Sequence, residues 1–171
     1  MEIRKEKEKN MPQLSAENTK FGFTGETLAL LVGYYKIKQL YRIVALRDFG
    51  DIKKGTPGGF IESEKNLDFN SDAWVFDDAK VYGNAKVSDN AKVYGNAKVY
   101  GNAKVYGNAK VYDNVEVYGN VEVYGNAKVY NYAEVSGDAK VYDRAEVYGN
   151  AKVYDNVEVS GNAVVHGRAV V

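Results

Sequence analysis

From Ala73 to Val171 the chain repeats one six-residue unit, most often AKVYGN, without an insertion or a deletion. Valine recurs at every sixth residue from Val75 to Val171, and alanine or valine stands two residues before each one. Numbered from that first small residue, positions one and three are Ala or Val, then Val, while positions two and four are mostly Lys or Glu, then Tyr. In an extended segment the first pair shares one face and the second pair the other. Positions five and six are Gly, Asp or Asn, the residues that accept left-handed or tight backbone conformations. Each unit therefore reads as a four-residue strand followed by a bend. Positions one and three never exchange roles, so a stack of back-and-forth hairpins is excluded. The continuous solution is a coil that turns the same way at every corner and pairs each turn in parallel with the next.

Three such sides, one six-residue unit each, close a triangular 18-residue coil. The spacing of Val81, Ala85 and Val87, aliphatic, small, then aliphatic again, resembles the hexapeptide repeat of left-handed parallel β-helices. Residues 40–67 (LYRIVALRDFGDIKKGTPGGFIESEKNL) together with Trp74 resemble the N-terminal part of the YdcK-like family of hexapeptide-repeat, transferase-like proteins. The resemblance implies an all-β, single-stranded left-handed parallel β-helix, a three-sided solenoid. The left hand comes from the resemblance alone, because parallel crossovers are right-handed in the great majority of cases.

Three segments are expected. Residues 1–20 mix Lys, Arg and Glu with few large apolar groups and read as a charged, flexible arm or a short charged helix. Residues 21–60 read as a small N-terminal β cap in which Tyr35, Ile37, Tyr41, Ile43 and Ala45 alternate with polar neighbours, an antiparallel pair with Gln39 near the turn. Residues 51–59 (DIKKGTPGG) read as a turn, with Gly58 and Gly59 supplying positive φ. Residues 61–171 are the solenoid, beginning in degraded form with Ile61, Leu67 and Phe69 where later units carry alanine and valine. One coil buries too little to fold alone, so stability must come from stacking.

Charge and composition narrow the function. Twenty-three basic and 23 acidic residues cancel, which argues against nucleic acid or a membrane surface as partner. The absence of cysteine rules out disulfides, thiolate metal sites and a thiol nucleophile. The charged start and the lack of a long apolar run point to the cytoplasm. One histidine cannot make a three-histidine metal site, and no cofactor is implied.

Stacking every third unit aligns Phe76, Tyr94, Tyr112, Tyr130, Tyr148 and His166 in one column. A second holds Tyr82, Tyr100, Tyr118, Ser136 and Tyr154, and a third Ser88, Tyr106, Tyr124, Tyr142 and Ser160. Tyr94, Tyr112, Tyr130, Tyr148, Tyr106, Tyr124 and Tyr142 are the candidate surface for a protein or small-molecule partner. Near the end the outward second position changes from Lys or Glu to Val164 and then Val170. Val164, His166 and Val170 are accordingly the candidate interface of a homo-oligomer, formed end to end or side by side. These features favour a non-enzymatic scaffold or interaction module that self-associates. The alternative is an acyltransferase-like protein or small-ligand binder with a pocket between subunits, for which His166 is the catalytic candidate. That chemistry follows from the resemblance and not from the fold.

Overall fold

The computed structural model describes residues 11–171. The first half of the arm expected over residues 1–20 lies outside the described residues. The remainder of that segment does not hang free: the Ser15 N–H donates to both carboxylate oxygens of Glu64 at 3.0 and 3.1 Å, and Lys20 is wholly buried. The Lys20 ammonium donates to the carbonyls of Asp68 (2.8 Å) and Ala73 (2.6 Å) and lies 4.7 Å from the centre of the Phe49 ring. The buried Lys20 charge is tolerated because it finds carbonyls and a ring at the same place.

The cap is a twisted antiparallel hairpin, β1 (Phe21–Val32) with β2 (Lys36–Ala45), and β2 pairs antiparallel with β3 (Pro57–Ile61). The turn lies at residues 33–35, with Gly33 at φ +67°, and not near Gln39. The alternation of Tyr35 and Ile37 with the residues that follow carries the expected strand through a glycine that in fact reverses the chain. β3 corrects the second expectation. Residues 58 and 59 are strand, and neither glycine has positive φ. They are glycines because of crowding: a Cβ on Gly59 would stand 2.6 Å from the Ala79 carbonyl oxygen, and one on Gly58 would enter Ile43 and the Trp74 ring. Pro57 starts the strand, where a missing ladder donor is tolerated.

β3 also starts the solenoid, since Phe60 and Ile61 pair in parallel with Lys80 and Val81. Beyond it the strands of each of the three sides pair in parallel, in sheets of eight, six and five strands, the first of which includes the three cap strands. The first side carries Lys80–Val81, Lys98–Val99, Glu116–Val117, Glu134–Val135 and Lys152–Val153. The second carries Trp74–Val75, Lys92–Val93, Lys110–Val111, Lys128–Val129, Glu146–Val147 and Val164–Val165, and the third runs from Lys86–Val87 to Glu158–Val159. Each regular strand is two residues long, shorter than the four expected, because the corners take up the rest.

Within the array the backbone N–H groups of positions two, four and six donate to the carbonyls of positions one, three and five in the next coil. Lys80 to Ala97 (2.8 Å), Tyr82 to Val99 (3.1 Å) and Asn84 to Gly101 (2.8 Å) show the pattern. Positions one and three fill the axis and are buried from Ala73 to Val153. The first coil departs from the expected phase. Ile61 pairs with Val81 and Leu67 with Val87, so both occupy position three, and each pair is two residues further apart in sequence than the pairs of the regular coils. The two extra residues are absorbed in the turn between Leu67 and Ala73.

The outward position two of this first coil is Trp74, which is fully buried because residues 46–56 fold over it and place Phe49 5.3 Å away. Arg42 ties cap to coil. Its guanidinium donates to the carbonyls of Gly58 and Asp77 (both 2.9 Å), pairs with Glu26 (2.8 Å) and Asp78 (2.9 Å), and lies 4.3 Å from the centre of the Phe60 ring.

At this junction Gly59→Ala should lower stability by about 1–3 kcal/mol through overpacking, whereas Gly161→Ala, with open space around it, should lose only the roughly 1–2 kcal/mol of a left-handed backbone; chemical denaturation compares them. Burial pushes the Lys20 ammonium down from 10.5 to about 8, against the pull of Asp68 and Asp72. Between those values the unfolded chain holds the proton that the folded chain has released, so this residue makes stability rise with pH from about 8 to 10.5. Unfolding midpoints measured across that window should rise more steeply for the native chain than for Lys20→Met.

Candidate functional site: the tyrosine faces

Position four points outward on every side, and the coil-to-coil register stacks its rings. On the second side Tyr94, Tyr112, Tyr130 and Tyr148 lie with centroids 4.9, 4.9 and 4.8 Å apart and planes within 12°. His166 continues this column 5.4 Å above Tyr148 at 16°, and Phe76 begins it edge-on to Tyr94 at 6.2 Å. On the third side Tyr106, Tyr124 and Tyr142 stack at 4.9 Å. The first side carries Tyr82, Tyr100 and Tyr118 at 4.9 and 5.1 Å, with Tyr82 buried under Leu40 and Phe60 of the cap. The seven tyrosines expected as a contact surface thus form two separate ladders on two sides of the prism.

A second element was missed in the sequence. Where position two is Glu, the tyrosine of the preceding coil donates its hydroxyl proton to that carboxylate: Tyr100 to Glu116 (3.3 Å), Tyr106 to Glu122, Tyr130 to Glu146 and Tyr142 to Glu158 (each 3.1 Å). Tyr118 does the same with Glu134. A lysine in an adjacent coil completes the unit, from below as Lys98 with Glu116 (2.7 Å) and Lys128 with Glu146 (2.8 Å), or from above as Lys152 with Glu134 (2.9 Å). In the column Lys86, Lys104, Glu122, Lys140, Glu158, the pairs Lys104–Glu122 and Lys140–Glu158 are both 3.4 Å apart. Such half-exposed pairs add little stability singly. The signal was a diagonal spacing, tyrosine at position four to glutamate at position two of the next coil, which emerges only once the coil length is known.

The corners carry their own ladders. The Asn84 side-chain amide donates to Asn102 (3.0 Å) and Asn102 to Asn120 (2.9 Å), and Asn90, Asn108 and Asn126 repeat this at 3.1 and 3.3 Å. Where position five is aspartate, its carboxylate accepts the N–H of the residue one coil on, as Asp89 from Gly107 (2.9 Å), which offsets the left-handed φ of 58°.

The sites that could receive a ligand are open grooves. One of about 240 Å³, lined by Phe76, Asp77, Lys92, Tyr94 and Lys110, opens where the second ladder breaks from edge-on to stacked. Another of about 430 Å³ is lined by Asn126, Lys128, Arg144, Glu146, Asn162 and Val164. His166 is exposed at the end of its column, and Val164 and Val170 are exposed on the second and first sides. Among the described residues no group of three or more His, Asp or Glu side chains is placed to hold a metal ion, and no helix is long and apolar enough to cross a membrane.

The architecture is a parallel β-solenoid of about six 18-residue coils. Residues 151–167 match the family model described as YdcK beta solenoid repeat. The matched stretch is 17 of the 171 residues and is similar to that repeat, in agreement with the parallel β-solenoid fold. No curated protein matches the chain.

Burial, and for the second and third of these donation to Glu122 and Glu146, raises the phenols of Tyr82, Tyr106 and Tyr130 from 10.0 to about 12. The unfolded chain therefore loses these protons first, and the stability they carry is intact below pH 10 and lost as pH rises through about 12. Denaturant midpoints should fall over that window in step with phenolate absorbance, and Tyr106→Phe with Tyr130→Phe should flatten the fall.

Proposed function

We propose that this protein is a cytoplasmic, non-enzymatic scaffold: a rigid prism that holds two tyrosine ladders as contact surfaces for a partner and self-associates through its last coil. The observation that carries the reading is the uninterrupted register from Ala73 onward, which makes the outward face of each side a column of repeated side chains rather than a set of unlike groups. Catalysis needs unlike groups converging on one reacting atom. His166 instead stacks on Tyr148 at an exposed rung.

Self-association is supported by Val164 and Val170. They stand in columns whose preceding members are Glu146 and Lys152, and both are exposed, so the columns change from charged to apolar over one coil. Sedimentation at micromolar concentration tests this: the native chain should run heavier than a monomer, and Val164→Lys with Val170→Lys should lower its mass. An unchanged mass in the double variant overturns the last-coil interface, and a deep ligand-retaining cleft at His166 in the assembly would overturn the scaffold reading in favour of a transferase-like one.

A further inference from the structure

The cap holds a second surface. Among the described residues β1 is the outermost strand of the eight-stranded sheet. The pairing of β2 with β3 begins at Tyr41–Ile61, so the hairpin formed by residues 27–32 and 36–40 projects past the strand that anchors it. A two-stranded ribbon is marginal by itself. Edge strands of soluble proteins are protected by charges, proline or bulges. Here the irregularity lies earlier, between Phe23 and Thr27, and residues 27–35 (TLALLVGYY) contain no charged residue and no proline.

The projecting part of β1 is apolar on both faces, while its partner strand sets Lys38 and Lys36 beside Leu30 and Val32. Leu28, Leu30 and Val32 pack toward Leu40, Phe60 and Tyr82. On the opposite face Leu31 and Ile37 are direct partners and 65% and 68% exposed, and at the tip Tyr34 and Tyr35 are 93% and 97% exposed. These four are among the most exposed large apolar side chains of the described residues.

We infer that β1 is an interface between two copies of this chain, in which residues 28–32 pair antiparallel with the same residues of the second copy across a two-fold axis. The strand is its own complement. Centred on Leu30, the pairing sets Leu30 against Leu30 and Leu28 against Val32 on one face, and small Ala29 against large Leu31 on the other. Glu26 then falls opposite Tyr34, so no like charges meet, and a two-fold contact of this kind closes after two copies. Residues 27–32 themselves offer no charge to a charged foreign segment. The pairing joins two eight-stranded sheets into one and gives the free backbone groups of β1 partners.

The test uses the full chain carrying Val164→Lys and Val170→Lys, so that the last coil contributes nothing. Sedimentation at micromolar concentration should show a dimer, and adding Ala29→Lys with Leu31→Lys, two exposed positions that face each other across the axis, should weaken association by about tenfold or more while leaving the unfolding midpoint of the monomer unchanged. Amide hydrogen exchange should become slower in residues 28–32 as concentration rises. A monomer before those two changes, a dimer unaffected by them, or protection confined to another segment would overturn the inference. So would a monomer whose β1 amides are protected only by an added foreign peptide.

Discussion

The structure depends on one interaction, the backbone ladder between residues one coil apart. Because N–H groups at positions two, four and six all point to the next coil, the chain has no freedom to slide one coil against another without losing a whole rung of bonds. Everything on the surface inherits that constraint. Tyrosine centroids sit 4.8–5.1 Å apart because strands do, and the nearly parallel planes reflect the backbone spacing more than any preference of the rings. The lysine–glutamate pairs and the asparagine ladders are likewise side chains brought into line by the same rungs.

The cap solves the problem of starting such a ladder. β3 accepts an antiparallel neighbour on one edge and a parallel one on the other, and cap and coil approach it so closely at Gly58 and Gly59 that no side chain fits. Trp74, Phe49 and Lys20 then close the first coil from the side. The arrangement moves the sheet edge away from the solenoid and out to β1, and with it the need for a further strand.

The period of the solenoid, its axial valines and the three aromatic columns were legible in the sequence, because each rests on a repeat that holds without interruption from Ala73. The cap was legible only as strand-forming. Its turn lies at Gly33, because an alternating pattern continues to alternate across a turn, and β3 was hidden because glycines needed for close approach look the same as glycines needed for bending. The phase of Ile61 and Leu67 was two residues off, since a turn can absorb two residues without changing the residue types that precede it. At the candidate surface the rings were foreseen. Their carboxylate partners in the following coil were not, because a diagonal contact between coils has no signature within one unit.

The regular rung has a consequence for length. Adding or removing three units would extend or shorten the prism by one strand spacing, about 4.8 Å, without altering the cap, the final coil or the alignment of any remaining column. The chain is in this sense a molecular ruler with fixed graduations: the span between its two ends changes in whole steps, and copy number of a three-unit segment is the variable that sets it.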